Sequence, residues 1–126
     1  MSGKNTQRTQ AERMVRVIES SRVNVTNEAA AQDAIHVALQ RTGLDIAREV
    51  RLSARDRIDI LSGGVGIEVK VKSRQSRREI FKQLERYAEH DEVQALVLAT
   101  AAAWPGNISE VKGKPLLVAS LTRGWL

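Results

Sequence analysis

Two carboxylates and a lysine stand close together in the stretch RIDILSGGVGIEVKVK, Arg57 to Lys72. Runs of alternating apolar residues flank Gly63-Gly64, and a Gly-Gly pair between such runs predicts a two-residue β-hairpin. With those glycines as the turn, residues whose numbers share one sum face each other: Ser62 with Val65, Ile60 with Ile67, Asp59 with Glu68, Arg57 with Lys70. Opposed side chains share a face of the sheet, so this register sets two acids side by side with two cations one step along. A three-residue loop would instead place the acids on a diagonal.

Two unit negative charges about 5 Å apart repel by roughly 3 kcal/mol at an effective dielectric near 20. A divalent cation reverses that sign. Carboxylate oxygens on one face suit Mg²⁺, which takes one or two carboxylates together with water and phosphate oxygens. Mn²⁺ is the expected substitute. The other reading is a solvated hairpin neutralised by Arg57 and Lys70. Both readings stand at this point.

The chain has 126 residues, 42% of them hydrophobic and 28% charged, which is ordinary usage for a single globular domain. It has no cysteine, which excludes disulfides and thiolate zinc sites. The two histidines, His36 and His90, are too few for a histidine-rich metal site. The polar start MSGKNTQRTQAER carries no signal-peptide pattern, and no apolar run approaches a membrane span, so a cytoplasmic location is expected and no membrane partner. Lys and Arg number 20 against 15 acids. Six of the bases, Lys72, Arg74, Arg77, Arg78, Lys82 and Arg86, crowd the segment after the hairpin. Such a cluster fits the phosphates of a polyanion, with DNA as the expected partner.

The surrounding elements must hold these groups in place. Residues 1 to about 7 are expected to be unstructured, and Ala11 to Ser20 to form a short helix through Met14, Val15, Val17 and Ile18. The domain proper is then 23–126, preceded by a tail and short helix over 1–22. A second helix is predicted from Asn27 to Arg41, capped by Thr26 or Asn27 and ended by Gly43. Ile46 to Leu52 alternates as a strand. Ser76-Arg77-Arg78-Glu79 fits a capping box and opens a helix running to about His90. Val93 to Thr100 reads as a buried strand, Trp104 to Asn107 as a turn within a loop from Ala101 to Lys114, and Pro115 to Leu121 as a last strand. The fold class is α/β, a central mixed β-sheet flanked by helices.

Asp59 followed by Glu68-Val69-Lys70 resembles the D…(D/E)xK signature of the PD-(D/E)XK nuclease superfamily, whose members share the restriction-endonuclease-like fold. The proline of the family name is replaced by Ile58. Gln83 and Tyr87 match the QxxxY pattern that RecB-like members carry on the following helix, and at four residues apart they share one helical face. The resemblance covers roughly Glu28 to Thr100 and implies a restriction-endonuclease-like core. It implies Mg²⁺ held by Asp59, Glu68 and the Val69 carbonyl, with Lys70 orienting a water or stabilising developing charge. Gln83 and Tyr87 would position the nucleic-acid strand. Many relatives add an acid from the first helix of the core; Glu28 is the candidate, with Glu19 and Glu49 as weaker ones, while Asp56 reads as a surface or turn residue facing away from Glu68.

The implied activity is Mg²⁺-dependent phosphodiester hydrolysis in structured or broken DNA. A homodimer is expected, as for junction resolvases, and a protein partner could supply specificity. The alternative is a non-catalytic nucleic-acid-binding module on the same fold. Four aromatic residues, Phe81, Tyr87, Trp104 and Trp125, limit any base-stacking platform.

Overall fold

Helix α1 spans Gly3–Glu19, starting earlier than the apolar spacing predicts. Ala11, Met14 and Ile18 form its buried stripe. Its polar first half carries no proline, and the Gln7 side chain lies along the hairpin turn, where a Cβ on Gly64 would come 3.2 Å from Gln7 Cγ. The computed structural model describes residues 3–71 and 74–126.

Helix α2, Glu28–Gln40, buries Ala31, Ile35 and Leu39. Asn27 is its N-cap, its Oδ1 accepting the Ala30 N–H at 3.0 Å. Gly43, at φ +90°, takes the left-handed conformation after the last turn. Six strands follow: β1 (Ala47–Arg51), β2 (Arg57–Ser62), β3 (Val65–Lys70), β4 (Ala95–Thr100), β5 (Glu110–Val111) and β6 (Lys114–Ser120). Helix α3, Arg77–Ala88, joins β3 to β4. Ser76 caps it, with Oγ accepting the Glu79 N–H at 3.1 Å.

The sheet order is β1-β2-β3-β4-β6-β5. The first three strands form an antiparallel meander, β3, β4 and β6 run parallel, and β5 closes antiparallel to β6. Strand β4 lies at the centre, and every one of its residues is buried, as its unbroken apolar run predicts. Helices α1 and α2 cover one face of the sheet, over Ile60, Val65, Ile67, Val69, Val97 and Ala119. Helix α3 covers the other, packing Ile80, Leu84 and Tyr87 against Ile58, Leu96, Leu98 and Leu116. Among the described residues no helix is long and apolar enough to cross a membrane.

Two features lie where the sequence pattern predicts only loop. Strand β5 falls inside the expected 101–114 loop, and Lys112-Gly113, both at positive φ (49° and 75°), turn it directly into β6. The chain then ends in a 3₁₀ turn, Arg123–Trp125, that folds back over the α1–α2 connection. Trp125 Nε1 donates to the Val23 carbonyl at 2.9 Å. The Glu19 carboxylate accepts the Ser120 N–H at 2.8 Å. A Cβ on Gly124 would meet the Ser21 carbonyl, so glycine is required there.

Candidate active site

The β2–β3 hairpin has the register that its glycines predict: Ser62 opposes Val65 and Ile60 opposes Ile67. Regular pairing stops there. One step further, carboxylates replace carbonyls in the ladder. The Val69 N–H donates to Asp59 Oδ2 at 2.8 Å, and the Asp59 N–H points at Glu68 Oε1, 3.4 Å away. The acids therefore meet because the strands part between them, each tied to the other strand's backbone.

The cause of that parting runs across three strands. On β2, Ile60 packs under α1 and α2 whereas Ile58, two residues earlier, packs under α3. A regular strand would put both on one face. Strand β1 switches in the same row: Arg48 reaches Gln32 and Asp33 of α2, while Val50 joins the α3 cluster. Between them lies Glu49 at φ +50°, a left-handed conformation that costs a non-glycine residue about 1–2 kcal/mol. Register is the same on both sides of the row, Arg48 with Ile60 and Val50 with Ile58, so no residue is inserted. On β3, Gly66 leaves room for Ile58; a Cβ there would collide with Ile58 Cδ1.

Glu68 is buried, 3% exposed, and Asp59 beside it is partly buried. Burial first, then the charge of Asp59, push the Glu68 carboxyl up to about 8. Burial likewise raises Asp59, although the Val69 N–H and the charges of Lys70 and Arg57 oppose the shift. Lys70 Nζ is 3.4 Å from Glu68 Oε2. From the α3 side, the Tyr87 hydroxyl lies 3.4 Å from the same oxygen and 3.1 Å from the Arg57 carbonyl. Gln83 Nε2 donates to Tyr87 Oη at 2.7 Å. Burial and the Glu68 charge hold the Tyr87 hydroxyl well above its ordinary value, so it stays a proton donor. Gln83 Oε1 is buried with no hydrogen-bond partner among the described residues. Asp59, Glu68, Lys70, Gln83 and Tyr87 thus form one linked group.

The remaining candidates are placed less centrally. Glu28, in the first turn of α2, is exposed and reaches past the end of β3, its Oε1 3.4 Å from the Val71 N–H. Arg74, Arg77, Arg78 and Lys82 are exposed, and Lys72 lies outside the described residues. Arg86 has another use: its Nε donates to Asp56 Oδ1 at 3.1 Å, and His90 Nε2 lies 3.0 Å from the other oxygen. Asp56 does belong to the β1–β2 turn, where Leu52 N–H bonds to its carbonyl at 2.8 Å, but it is buried rather than at the surface. Burial pushes its carboxyl up, and the hydrogen bonds from His90 and Arg86 outweigh that and leave it below its ordinary value. The partners are 30 and 34 residues away, beyond the reach of strand alternation.

The group stands toward the carboxyl ends of the parallel strands β3 and β4, the end at which open α/β sheets bind ligands. Among the described residues no three His, Cys, Asp or Glu side chains gather into a metal-binding group. Two adjacent carboxyl groups, their charge only partly offset by Lys70, offer hard oxygens, a donor set that fits Mg²⁺ with water or phosphate completing the coordination. No protein-family model, curated protein or solved structure matches the chain.

Proposed function

We propose that the chain is a Mg²⁺-dependent DNA nuclease with a restriction-endonuclease-like core of the PD-(D/E)XK kind. One observation carries the reading. Asp59, Glu68 and Lys70 converge where the β2–β3 ladder opens, as one buried and one partly buried acid with a lysine 3.4 Å from the buried one. Burial raises both carboxyls, Glu68 to about 8, so a bound cation would be needed to keep both ionised at neutral pH.

Asp59, Glu68 and the Val69 carbonyl would hold Mg²⁺, which supplies Lewis-acid polarisation of a phosphate and a water of lowered pKa. Lys70 brings a cation to the place where negative charge develops on the phosphate oxygens. The Tyr87 hydroxyl, held by Gln83 and donating to the Arg57 carbonyl, lies 3.4 Å from Glu68 Oε2, so α3 closes one side of the acid pair. Glu28, bonded to the Val71 N–H just past the end of β3, would add negative charge at the border of the site. The exposed bases at the start of α3 hold the strand through its phosphates, which positions it without reading sequence. Two such sites in a homodimer would cut two strands, and the reading places this work in the cytoplasm.

The test is cleavage of linear duplex, single-stranded, flap and four-way-junction DNA with Mg²⁺ or Mn²⁺, alongside Glu68→Ala and Lys70→Ala. Cleavage that requires the metal and vanishes in both variants supports the nuclease. Binding without cleavage under either metal transfers the reading to a non-catalytic nucleic-acid-binding module.

A further inference from the structure

The end of the sheet that carries the acid pair also carries an arginine pair outside the basic cluster near α3. Arg51, the last residue of β1, and Arg57, the first of β2, are direct cross-strand partners. Both are exposed. Like charges directly opposite each other destabilise a sheet. Among the described residues no carboxylate lies within ion-pair distance of either, whereas Arg48, Arg86 and Arg123 each have an acid. Among the described residues the Arg51 guanidinium bonds to the Ala54 carbonyl alone, at 3.1 Å, a neutral partner that does not compensate its charge. Arg57 is close enough to the site for its charge to act on Asp59. Its carbonyl accepts from Tyr87 at 3.1 Å, so the backbone beneath this arginine is anchored to α3.

We propose that Arg51 and Arg57 form a phosphate clamp that holds the nucleic-acid backbone beside the scissile position. Two guanidinium groups from adjacent strands bracket one or two phosphodiester groups, an anion that converts the cross-strand repulsion into attraction. The strand then crosses the sheet end from the bases of α3 to the β1–β2 hairpin, with the acid pair between. Arg55, in the intervening turn, instead borders a separate groove with Lys82, Arg86 and Lys112, where Glu85 and Glu89 offset part of the positive charge, so Arg55 is left out of the clamp.

This inference rests on the nucleic-acid reading above and deepens it. The experiment is fluorescence anisotropy of a labelled DNA duplex in EDTA, which prevents cleavage, titrated across a series of salt concentrations. Wild type is compared with Arg51→Gln/Arg57→Gln and with a control of equal charge loss elsewhere, Arg13→Gln/Arg41→Gln. The clamp variant is expected to bind roughly tenfold or more weakly at about 100 mM salt, with a salt slope shallower by about two, one per lost phosphate contact. Its thermal midpoint should equal or exceed that of wild type, because a repulsion is removed. Equal affinity and slope in wild type and clamp variant overturn the clamp and leave the nuclease reading standing. An equal loss in the control also overturns it, since charge alone would then explain the effect. No binding by wild type also overturns the clamp, and metal-dependent cleavage tests the nuclease reading by itself.

Discussion

Replacing Glu68 by Gln isolates the electrostatic cost of the acid pair. The amide has the shape of the carboxylate, can accept from the Asp59 N–H and can donate to the Asp59 carboxylate, but it carries no charge. In wild type the Glu68 carboxyl is raised from its ordinary 4.5 to about 8. Between those values the folded protein holds a proton that the unfolded chain has released, so stability falls as pH rises, by up to about 1.4 kcal/mol per pH unit. Below the unfolded value the cost is absent, and above about 8 it is complete. From about pH 5.5 to 8, wild type should lose on the order of 2–3 kcal/mol to this group, allowing for relaxation when it ionises. Urea denaturation followed by tryptophan fluorescence, in EDTA at several pH values, measures it. Glu68→Gln should match wild type at the acid end and exceed it by that amount at about pH 8. A difference between the two proteins that stays constant with pH would refute the argument, because the buried charge would then not be the source.

Mg²⁺ or Mn²⁺ should raise the thermal midpoint of wild type at about pH 8, where the pair is charged, and leave Asp59→Asn/Glu68→Gln unmoved; equal shifts in both proteins would place any bound ion elsewhere. Gly66→Ala should destabilise by about 1–3 kcal/mol through its collision with Ile58, and Ile58→Val, which removes Cδ1, should recover part of that in a double-mutant cycle. Independent, additive effects would show that the face switch does not depend on the glycine. Asp56→Asn should cost on the order of 2–3 kcal/mol at neutral pH by breaking the bonds to Arg86 and His90. The folded Asp56 value is depressed, so its contribution exists above the ordinary carboxylate value and disappears as pH falls through the folded one; the gap between wild type and variant, measured by urea denaturation, should close under acid.

The parts of this fold that are legible in the sequence are those set by neighbouring residues. Gly63-Gly64 fixes the hairpin register, and Asn27 and Ser76 fix where α2 and α3 begin, because turn and cap chemistry act over two to four residues. The meeting of Asp59 with Glu68 follows from that register by counting. What counting misses depends on distant packing. Alternation assigns Ile58 and Ile60 to one face, and only the left-handed Glu49 on the adjacent strand, with the space above Gly66, explains why they separate. Gly66 within a strand was the available signal, since glycine there marks a close approach. Asp56 escaped because its partners come from α3 and the residues after it. Strand β5 escaped because two residues show no periodicity, although Lys112-Gly113 between Val111 and Lys114 is a readable turn.

The bonds that join Glu19 to Ser120 and Trp125 to Val23 span 101 and 102 positions of the chain. They make the order of assembly matter. The meander closes through nearby partners, whereas the end of α1 and the connection after it are tied down by the sixth strand and the turn that follows. During synthesis the apolar stripe of Ala11, Met14 and Ile18 is the first part of the core to be made, and its seat is completed last. Closing so long a loop costs more entropy than closing the hairpin that bears the acids, so these two bonds depend on the rest of the sheet being in place.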